Sequence, residues 1–406
     1  MKTELFPPLP GPILENVLPL IEKTFPVPGR FRGELTGDVA ELSRLLTSAR
    51  NERSLSYLNR PPLLSAYLRY FLPWNLYRLC RLLPGLDLSL APGDTVADLG
   101  SGPLTLPAAL WISRPELRSL PLEFRCIDRS AAVLEAGRRF FTALAGENSP
   151  WTIKTLTGEV RPGPARPLSV ELKGKAPALI AAVYLYNEIC QPLPPEDTGA
   201  LDRLAGNQAA FLAGLGGEGA RILILEPGVP RSGEFISLLR ASFLRLGCPP
   251  LSPCLHPGPC PLEKGKSPGG KRAAKWCHFA FDTGDAPRAL RNLSAAAGIP
   301  KERATLSFLL VEKKTAGRAA FASAADAAPA VQDATAPISL RLLSDTFPLP
   351  AGGRGAYGRY GCGEQGLVLV RGGRQRLEDL RSGALVWVKL SAGRDLKSGA
   401  MIAEAE

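Results

Sequence analysis

Apolar positions change their rhythm along this chain. From Glu4 to about Leu90 they recur at helical spacing, most clearly over Leu42–Ala49 and Leu63–Leu83, and prolines interrupt the pattern. This predicts an N-terminal helical cap, residues 1–90, packed on the domain that follows. The tract from Ser54 to Arg60 is polar enough to face a ligand or partner, although an ordinary loop accounts for it equally.

At Thr95 the period shortens. Thr95–Asp98, Leu122–Ile127, Trp151–Leu156, Ala178–Leu185 and Arg221–Leu225 are apolar runs of strand length. Helical stretches lie among them: one running to Ile112, then Ala131–Leu144 and Leu201–Leu215. His278–Phe281 and Leu306–Val311 supply two last strands, with Pro287–Ala297 as the helix between them. Short strands alternating with helices predict a parallel α/β sheet over residues 91–314. Residues 315–337 are Ala-rich and lack a period, which reads as a linker. After it, Ile338–Leu343, Gly366–Arg371 and Ala384–Leu390 are β-like runs separated by glycine-rich turns. They predict a small β domain over 338–395 and leave 396–406 as a tail. There is no internal repeat.

A chain of 406 residues suits one large domain with small appendages. Its charged and apolar fractions, 21% and 45%, are those of a folded chain rather than a disordered one. The formal net charge of +11 is less ordinary and favours a polyanionic partner, nucleic acid foremost. No basic stretch followed by an apolar one opens the sequence, and no apolar run reaches ~18 residues, so neither a signal peptide nor a membrane span is expected. The expectation is a cytoplasmic monomer. There, eight cysteines point to metal ligation or burial rather than to a disulfide framework.

The first candidate site is Asp98-Leu99-Gly100-Ser101-Gly102, where the first strand meets its helix. Glycine there lets the backbone turn tightly and lets a ligand approach the amides. Asp128, ending the second strand, is placed to accept hydrogen bonds from a ribose. The dinucleotide pattern GxGxxG fails at Thr105. An acid before the loop and another on strand two instead resemble the S-adenosylmethionine motifs of class I methyltransferases. Asp98, Gly100, Gly102 and Asp128 are therefore the candidate cofactor residues. Gly265–Lys271 matches the start of a phosphate-binding loop, but Arg272 stands where Ser or Thr must hold magnesium, so chance explains it. Asn187 and Glu188, at the end of the fourth strand, are weak catalytic candidates that would orient a substrate nitrogen; Glu188 would serve equally to cap the next helix. Glu226-Pro227-Gly228 after strand five is a similar case.

The second candidate site is a thiol cluster. Cys254 and Cys260 lie in a stretch crowded with Pro and Gly, Cys277 follows in Trp276-Cys277-His278-Phe279, and both histidines of the chain lie within two residues of a cysteine. Thiolates are soft ligands for zinc or iron–sulfur clusters, and a site needs about four. His256, His278 or a distant cysteine must be the fourth; Cys362, between glycines, has the setting of an accessible thiol. Cys80, Cys126, Cys190 and Cys248 sit in apolar runs or beside prolines and read as buried hydrophobes.

The series Asp98-Leu-Gly-Ser-Gly-Pro, Asn187-Glu188, Glu226-Pro-Gly, Pro253-Cys254 to Cys260-Pro261 and Trp276-Cys277-His278-Phe279, in this order, resembles the ribosomal small-subunit methyltransferase-like family of bacterial members and mitochondrial small-subunit assembly factors. The likeness runs from about Ser54 to Leu390. It implies a class I methyltransferase (Rossmann-like) fold binding S-adenosylmethionine. It also implies a four-iron four-sulfur cluster on Cys254, Cys260, Cys277 and Cys362, zinc being the alternative, and association with the small ribosomal subunit and its rRNA. The chain departs from the family at Leu104, where the glycine loop usually has its third glycine, and a leucine there is expected to crowd the methionine end of the cofactor.

Three functions follow: a small-subunit factor for ribosome assembly or translation, an active rRNA methyltransferase, or an iron–sulfur redox sensor. The basic excess favours the first two. Lys264, Lys266, Lys271, Arg272 and Lys275, opposed only by Glu263, would neutralise RNA phosphates or balance an anionic thiolate cluster. No acid–base pair marks a methyl-transfer mechanism, and fold does not fix activity, so whether the protein is an enzyme stays open and the first function ranks ahead.

Overall fold

The structure is a computed structural model that describes residues 4–7, 14–49, 52, 57–163, 167–194, 197–254, 256–262, 275–314, 337–349 and 356–405. The N-terminal cap contains α1 (Val17–Thr24), α2 (Leu35–Leu46), α3 (Pro61–Ala66) and α4 (Leu72–Leu82). Pro61 and Pro62 open α3, where a missing N–H is not needed. Pro73 has no N–H to offer Arg69, and the turn before it loosens: Tyr67–Phe71 is wound as a π-helix, with Leu72 N donating to Tyr67 O. Trp74 and Tyr77 on α4 are fully buried. The Trp74 indole donates to Ser294 Oγ at 3.1 Å and the Tyr77 hydroxyl to Asp282 O at 2.9 Å, which fixes the cap on the sheet domain.

That domain runs β1 (Thr95–Leu99), α5 (Thr105–Ser113), β2 (Glu123–Asp128), α6 (Ala131–Ala145), β3 (Thr152–Thr157), β4 (Leu179–Val183), α7 (Tyr186–Ile189), α8 (Thr198–Leu215), β5 (Arg221–Pro227), α9 (Pro230–Arg245), β6 (Pro250–Ser252), β7 (Phe279–Asp282), α10 (Arg288–Ala296) and β8 (Arg303–Glu312). The strand order is β3-β2-β1-β4-β5-β8-β6, with β7 also pairing β8. From β1 to β5 the pairs are parallel, and β8 lies antiparallel to β5. This is the expected α/β class I methyltransferase fold. Every residue of β1 and β4 is buried, as befits strands covered on both faces. Their contact is where the strand order reverses, the place where open α/β sheets bind ligands.

Three elements of this domain, α7, α9 and β6, have no counterpart in the sequence reading. The inner face of α9 buries Ser232, Glu234, Ser237, Arg240 and Ser242 beside its apolar residues, so an apolar period does not stand out. β6 is three residues long.

Beyond residue 337 lie β9 (Ile338–Leu342), β10 (Phe347–Pro348), β11 (Ala356–Gly363), β12 (Gly366–Gly373), α11 (Arg374–Asp379), β13 (Leu385–Val388), β14 (Leu390–Arg394) and β15 (Met401–Glu404). They form a second sheet of order β13-β9-β11-β12-β15-β14, with β10 on β11. The small β domain is therefore larger than expected. Residues 396–406 are not a tail, because β15 pairs parallel to β12 and antiparallel to β14. The Ala-rich segment lies outside the described residues apart from its last position, Pro337.

The two domains share a core. Leu343, Cys362 and Leu367 pack into the same hydrophobic cluster as Cys260, Leu262 and Phe279. The first residues close the seam from outside: Glu4 bridges Ala384, and the Phe6 ring stands 5.4 Å from Phe279 and 5.3 Å from Phe281. Among the described residues no helix is long and apolar enough to cross a membrane.

Candidate cofactor and thiol sites

A cavity of about 290 Å³ opens at the carboxyl ends of β1, β2 and β4. Gly100, Ser101 and Gly102 line one wall, Asp128 to Ser130 another, and Val183 to Leu185 the floor. Gly100 and Gly102 have φ of +69° and +56°, a backbone that side chains disfavour. A Cβ on Gly102 would have only Thr105 Oγ1 and Tyr67 Oη near it, at 3.9 and 4.0 Å, so it would fill ligand space instead of striking protein. Asp128 Oδ2 accepts from Gly102 N at 3.0 Å and its Oδ1 from Ser130 N at 2.9 Å. Burial pushes its carboxyl above the usual range, and those two N–H groups pull it back. A carboxylate has about four acceptor sites, so lone pairs remain for ribose hydroxyls.

The helical cap forms the lid. Tyr57, Leu58 and Asn59 line the cavity, together with Tyr67 from the π-turn and Asn75 from α4. Ser130 Oγ donates to Asn59 Oδ1 at 2.9 Å, tying lid to rim. Of the Ser54–Arg60 tract, then, Tyr57, Leu58 and Asn59 face the ligand space, while residues 54–56 lie outside the described residues. Composition alone did not separate this from an ordinary loop; the aromatic Tyr57 was the available signal.

Two candidate residues stand elsewhere than expected. Asp98 does not reach the cavity. It is 1% exposed, accepts from Ser101 Oγ at 2.6 Å through Oδ2, and has its carboxyl pushed up to about 7 by burial. Its part is to shape the glycine loop that lines the cavity. Leu104 does not crowd the cavity either. It adopts the left-handed conformation at φ +58°, which explains why glycine would suit that position, but its side chain is fully buried and turned to α6. There Gly137 permits the approach, since a Cβ would sit 2.8 Å from Leu104 Cγ.

Asn187 and Glu188 part company. Glu188 lines the cofactor cavity and pairs with Arg129 at 3.0 Å. Asn187 Nδ2 donates to Tyr184 O at 2.6 Å, and its side chain borders a second cavity, of about 220 Å³, with Glu226 and Phe235. Glu226 is fully buried and accepts from Tyr186 N at 2.7 Å and Asn187 N at 2.9 Å, so it caps α7; burial pushes its carboxyl up to about 8. Asn187 therefore does not line the cofactor cavity.

The thiols converge as well. Cys254, Cys260, Cys277 and Cys362 line one cavity of about 20 Å³ with Arg240, His256 and Arg341. Cys277 is seated by Ser307 Oγ, which donates to its carbonyl at 2.7 Å, and by Trp276, whose indole donates to Gly228 O at 3.0 Å. Gly233 on α9 makes this possible: a Cβ there would lie 2.6 Å from Trp276 Cδ1. Cys362 arrives from β11, beside Arg341 on β9. Burial pushes the Cys277 and Cys362 thiols well up, and the neighbouring thiols of the group push them further. His278 Nδ1 lies 3.0 Å from Trp276 O and its ring stacks on that indole, outside the cavity lining. His256 lines it, with its pKa lowered to about 4 by burial. Among the described residues no group of three or more His, Cys, Asp or Glu side chains is already arranged to hold a metal ion. The cavity as it stands has room for about one water-sized body. In donor chemistry four thiols suit zinc or an iron–sulfur cluster; the larger group requires them to move apart.

Cys80, Cys126, Cys190 and Cys248 are buried, as expected of packing residues. Lys264, Lys266, Lys271 and Arg272, with the Gly265–Lys271 match, lie outside the described residues. Lys275 is described, and its Nζ sits 4.5 Å from the Tyr360 ring centroid, engaged with the β domain.

No family model matches the chain, and no curated protein does. Solved structures are similar to it. A methyltransferase from Pyrococcus furiosus is 10% identical, with 56% of this chain and 78% of that one covered and a TM-score of 0.31. A protein of Listeria monocytogenes assigned to the class I S-adenosylmethionine-dependent methyltransferases is 11% identical, with 76% and 87% covered and a TM-score of 0.34. A precorrin-6y C5,15-methyltransferase from Geobacter metallireducens is 10% identical, with 56% and 84% covered and a TM-score of 0.29. The likeness is distant and carries nothing about the site; the strand order defines the fold.

Proposed function

We propose that this protein binds S-adenosylmethionine in the 290 Å³ cavity and a soft metal centre on Cys254, Cys260, Cys277 and Cys362, and that it serves the small ribosomal subunit in assembly or translation. The observation that carries the cofactor reading is the rim: two positive-φ glycines and a half-buried carboxylate meet at the strand-order reversal, and a Cβ on Gly102 would fill the opening. Asp128 would take the ribose hydroxyls, Gly100 and Gly102 the methionine side, and Tyr57 and Tyr67 would exclude water from above. S-adenosylmethionine supplies an electrophilic methyl group when bound. The four thiols would hold a four-iron four-sulfur cluster or, failing that, zinc. The ribosomal part rests on the family resemblance and the charge of +11.

The second reading, an active rRNA methyltransferase, is favoured by the position of Glu188 on the cavity wall and of Leu104 away from it. Full-length protein, incubated with small ribosomal subunits and methyl-labelled cofactor, tests both. Co-sedimentation without label transfer supports the binding factor, label in rRNA supports the enzyme, and the absence of both at physiological salt rejects the ribosomal assignment.

A further inference from the structure

A second cavity, of about 220 Å³, lies where β4 and β5 end and α9 begins. The short helix α7 parts it from the cofactor cavity, since Asn187 lines one and Glu188 the other. Its volume is several times the ~30 Å³ that a water takes up in the liquid, so it has room for a small ligand. The carboxyl ends of strands in an open α/β sheet are where ligands bind.

One wall of this cavity is the start of α9. Val229, its N-cap, makes no side-chain capping bond, and Pro230 has no N–H. Gly233 N donates to Val229 O at 3.0 Å, but Gly228 O, four residues before Ser232, takes the Trp276 indole at 3.0 Å. Ser232 is 5% exposed and lines the cavity, and among the described residues neither its N–H nor its Oγ has a hydrogen-bond partner. A buried polar group left in that state is costly unless a ligand satisfies it. The helix end adds partial positive charge, and Arg231, which also lines the cavity and whose Nη2 donates to Pro194 O at 3.3 Å, adds a full one. Glu226 in the lining does not oppose them. Its two oxygens accept backbone N–H groups, and burial pushes its carboxyl up to about 8, so it is mostly protonated at neutral pH.

Two unsatisfied donors beside a cation fit an oxyanion, and Phe235 and Leu193 add apolar wall. We propose that this cavity is a second ligand site, which takes a phosphate group on the Ser232 N–H and hydroxyl beside Arg231, with the organic body that carries the phosphate against Phe235 and Leu193. The site stands apart from the cofactor and metal readings and depends on neither. A free phosphate monoester and an internal phosphate of RNA share this chemistry.

Calorimetric titration of the full-length protein separates them. The probes are uridine 5′-monophosphate, uridine, and an oligouridylate without terminal phosphates, each added to wild type, Ser232→Ala and Arg231→Gln. Melting of each ligand-free protein accompanies the titrations. Wild type is expected to bind the monophosphate or the oligomer saturably, and uridine about tenfold or more weakly. Ser232→Ala should lose about tenfold or more of the phosphate affinity, the scale of a hydrogen bond to a charged group. Its ligand-free melting temperature should match wild type, because the hydroxyl has no internal partner to lose. Arg231→Gln, at a half-buried position, should also weaken binding and decides the matter if Ser232→Ala fails to fold. Binding of the monophosphate alone assigns the site to a free monoester, and oligomer binding with the same dependence on Ser232 assigns it to RNA. No saturable binding of either, affinity that Ser232→Ala leaves unchanged, or uridine as tight as its monophosphate overturns the proposal.

Discussion

Asp128 Oδ2 accepts the Gly102 N–H at 3.0 Å, so the carboxylate that ends β2 holds the loop that follows β1. One side chain thereby both shapes the glycine turn and presents acceptors to the cavity. Asp128→Ala should weaken S-adenosylmethionine by ~1–3 kcal/mol, the scale of a lost buried hydrogen bond, or about 5- to 150-fold. Equilibrium dialysis with labelled cofactor reads this directly, and unchanged affinity would remove Asp128 from the site.

Leu104→Gly separates strain from burial. Relief of the left-handed backbone returns ~1–2 kcal/mol. Emptying a fully buried leucine site costs ~3–5 kcal/mol, so burial wins and the variant should be less stable. Its cofactor affinity should stay within about twofold of wild type, because the side chain faces α6. A gain in affinity would put Leu104 back beside the cofactor.

Two buried carboxyls set a pH dependence. Asp98 is pushed up to about 7 and Glu226 to about 8, both by burial. Each binds its proton more tightly folded than unfolded, so the stability they contribute is complete below about pH 4 and is lost as pH rises through 7 and then 8. The melting temperature should fall between about pH 4 and 8, and Asp98→Asn should flatten the part of that fall below about pH 7. A melting temperature that rises over this range would contradict these environments.

Protein purified without oxygen should be brown and carry iron and acid-labile sulfide, and Ser at any one of Cys254, Cys260, Cys277 or Cys362 should remove them. Zinc without sulfide would replace the cluster and keep the site. If Cys362→Ser alone is silent, His256, which lines the cavity, takes its place as the fourth ligand.

If the four cysteines hold a metal, binding to small subunits should fall steeply with salt and depend on Cys277, because the metal would then tie the segment before Cys277 to the β domain. Co-sedimentation of Cys277→Ser protein checks it. A variant with Lys264, Lys266, Lys271 and Arg272 changed to Gln then asks whether that segment contributes; Lys275, lying over Tyr360, is left alone.

The parallel sheet was legible because β1, β4 and β5 are largely apolar runs, and the glycine loop because positive φ demands glycine. What escaped has physical causes. The polar residues buried in α9 hid its period, and with it Arg240. In β11, Gly358, Gly361 and Gly363 dilute the alternation that marks a strand, so this strand was missed. Leu104 and Asn187 were assigned to the cofactor cavity from their place in a motif, but backbone direction at the loop and at α7 turns both side chains elsewhere.

The most direct measurement is isothermal titration of S-adenosylmethionine into the full-length protein, with Gly102→Val beside it. Saturable binding at one site, lost in Gly102→Val because a side chain there fills the opening, is the predicted result. No heat with wild type at about millimolar cofactor would contradict it, as would equal binding by Gly102→Val.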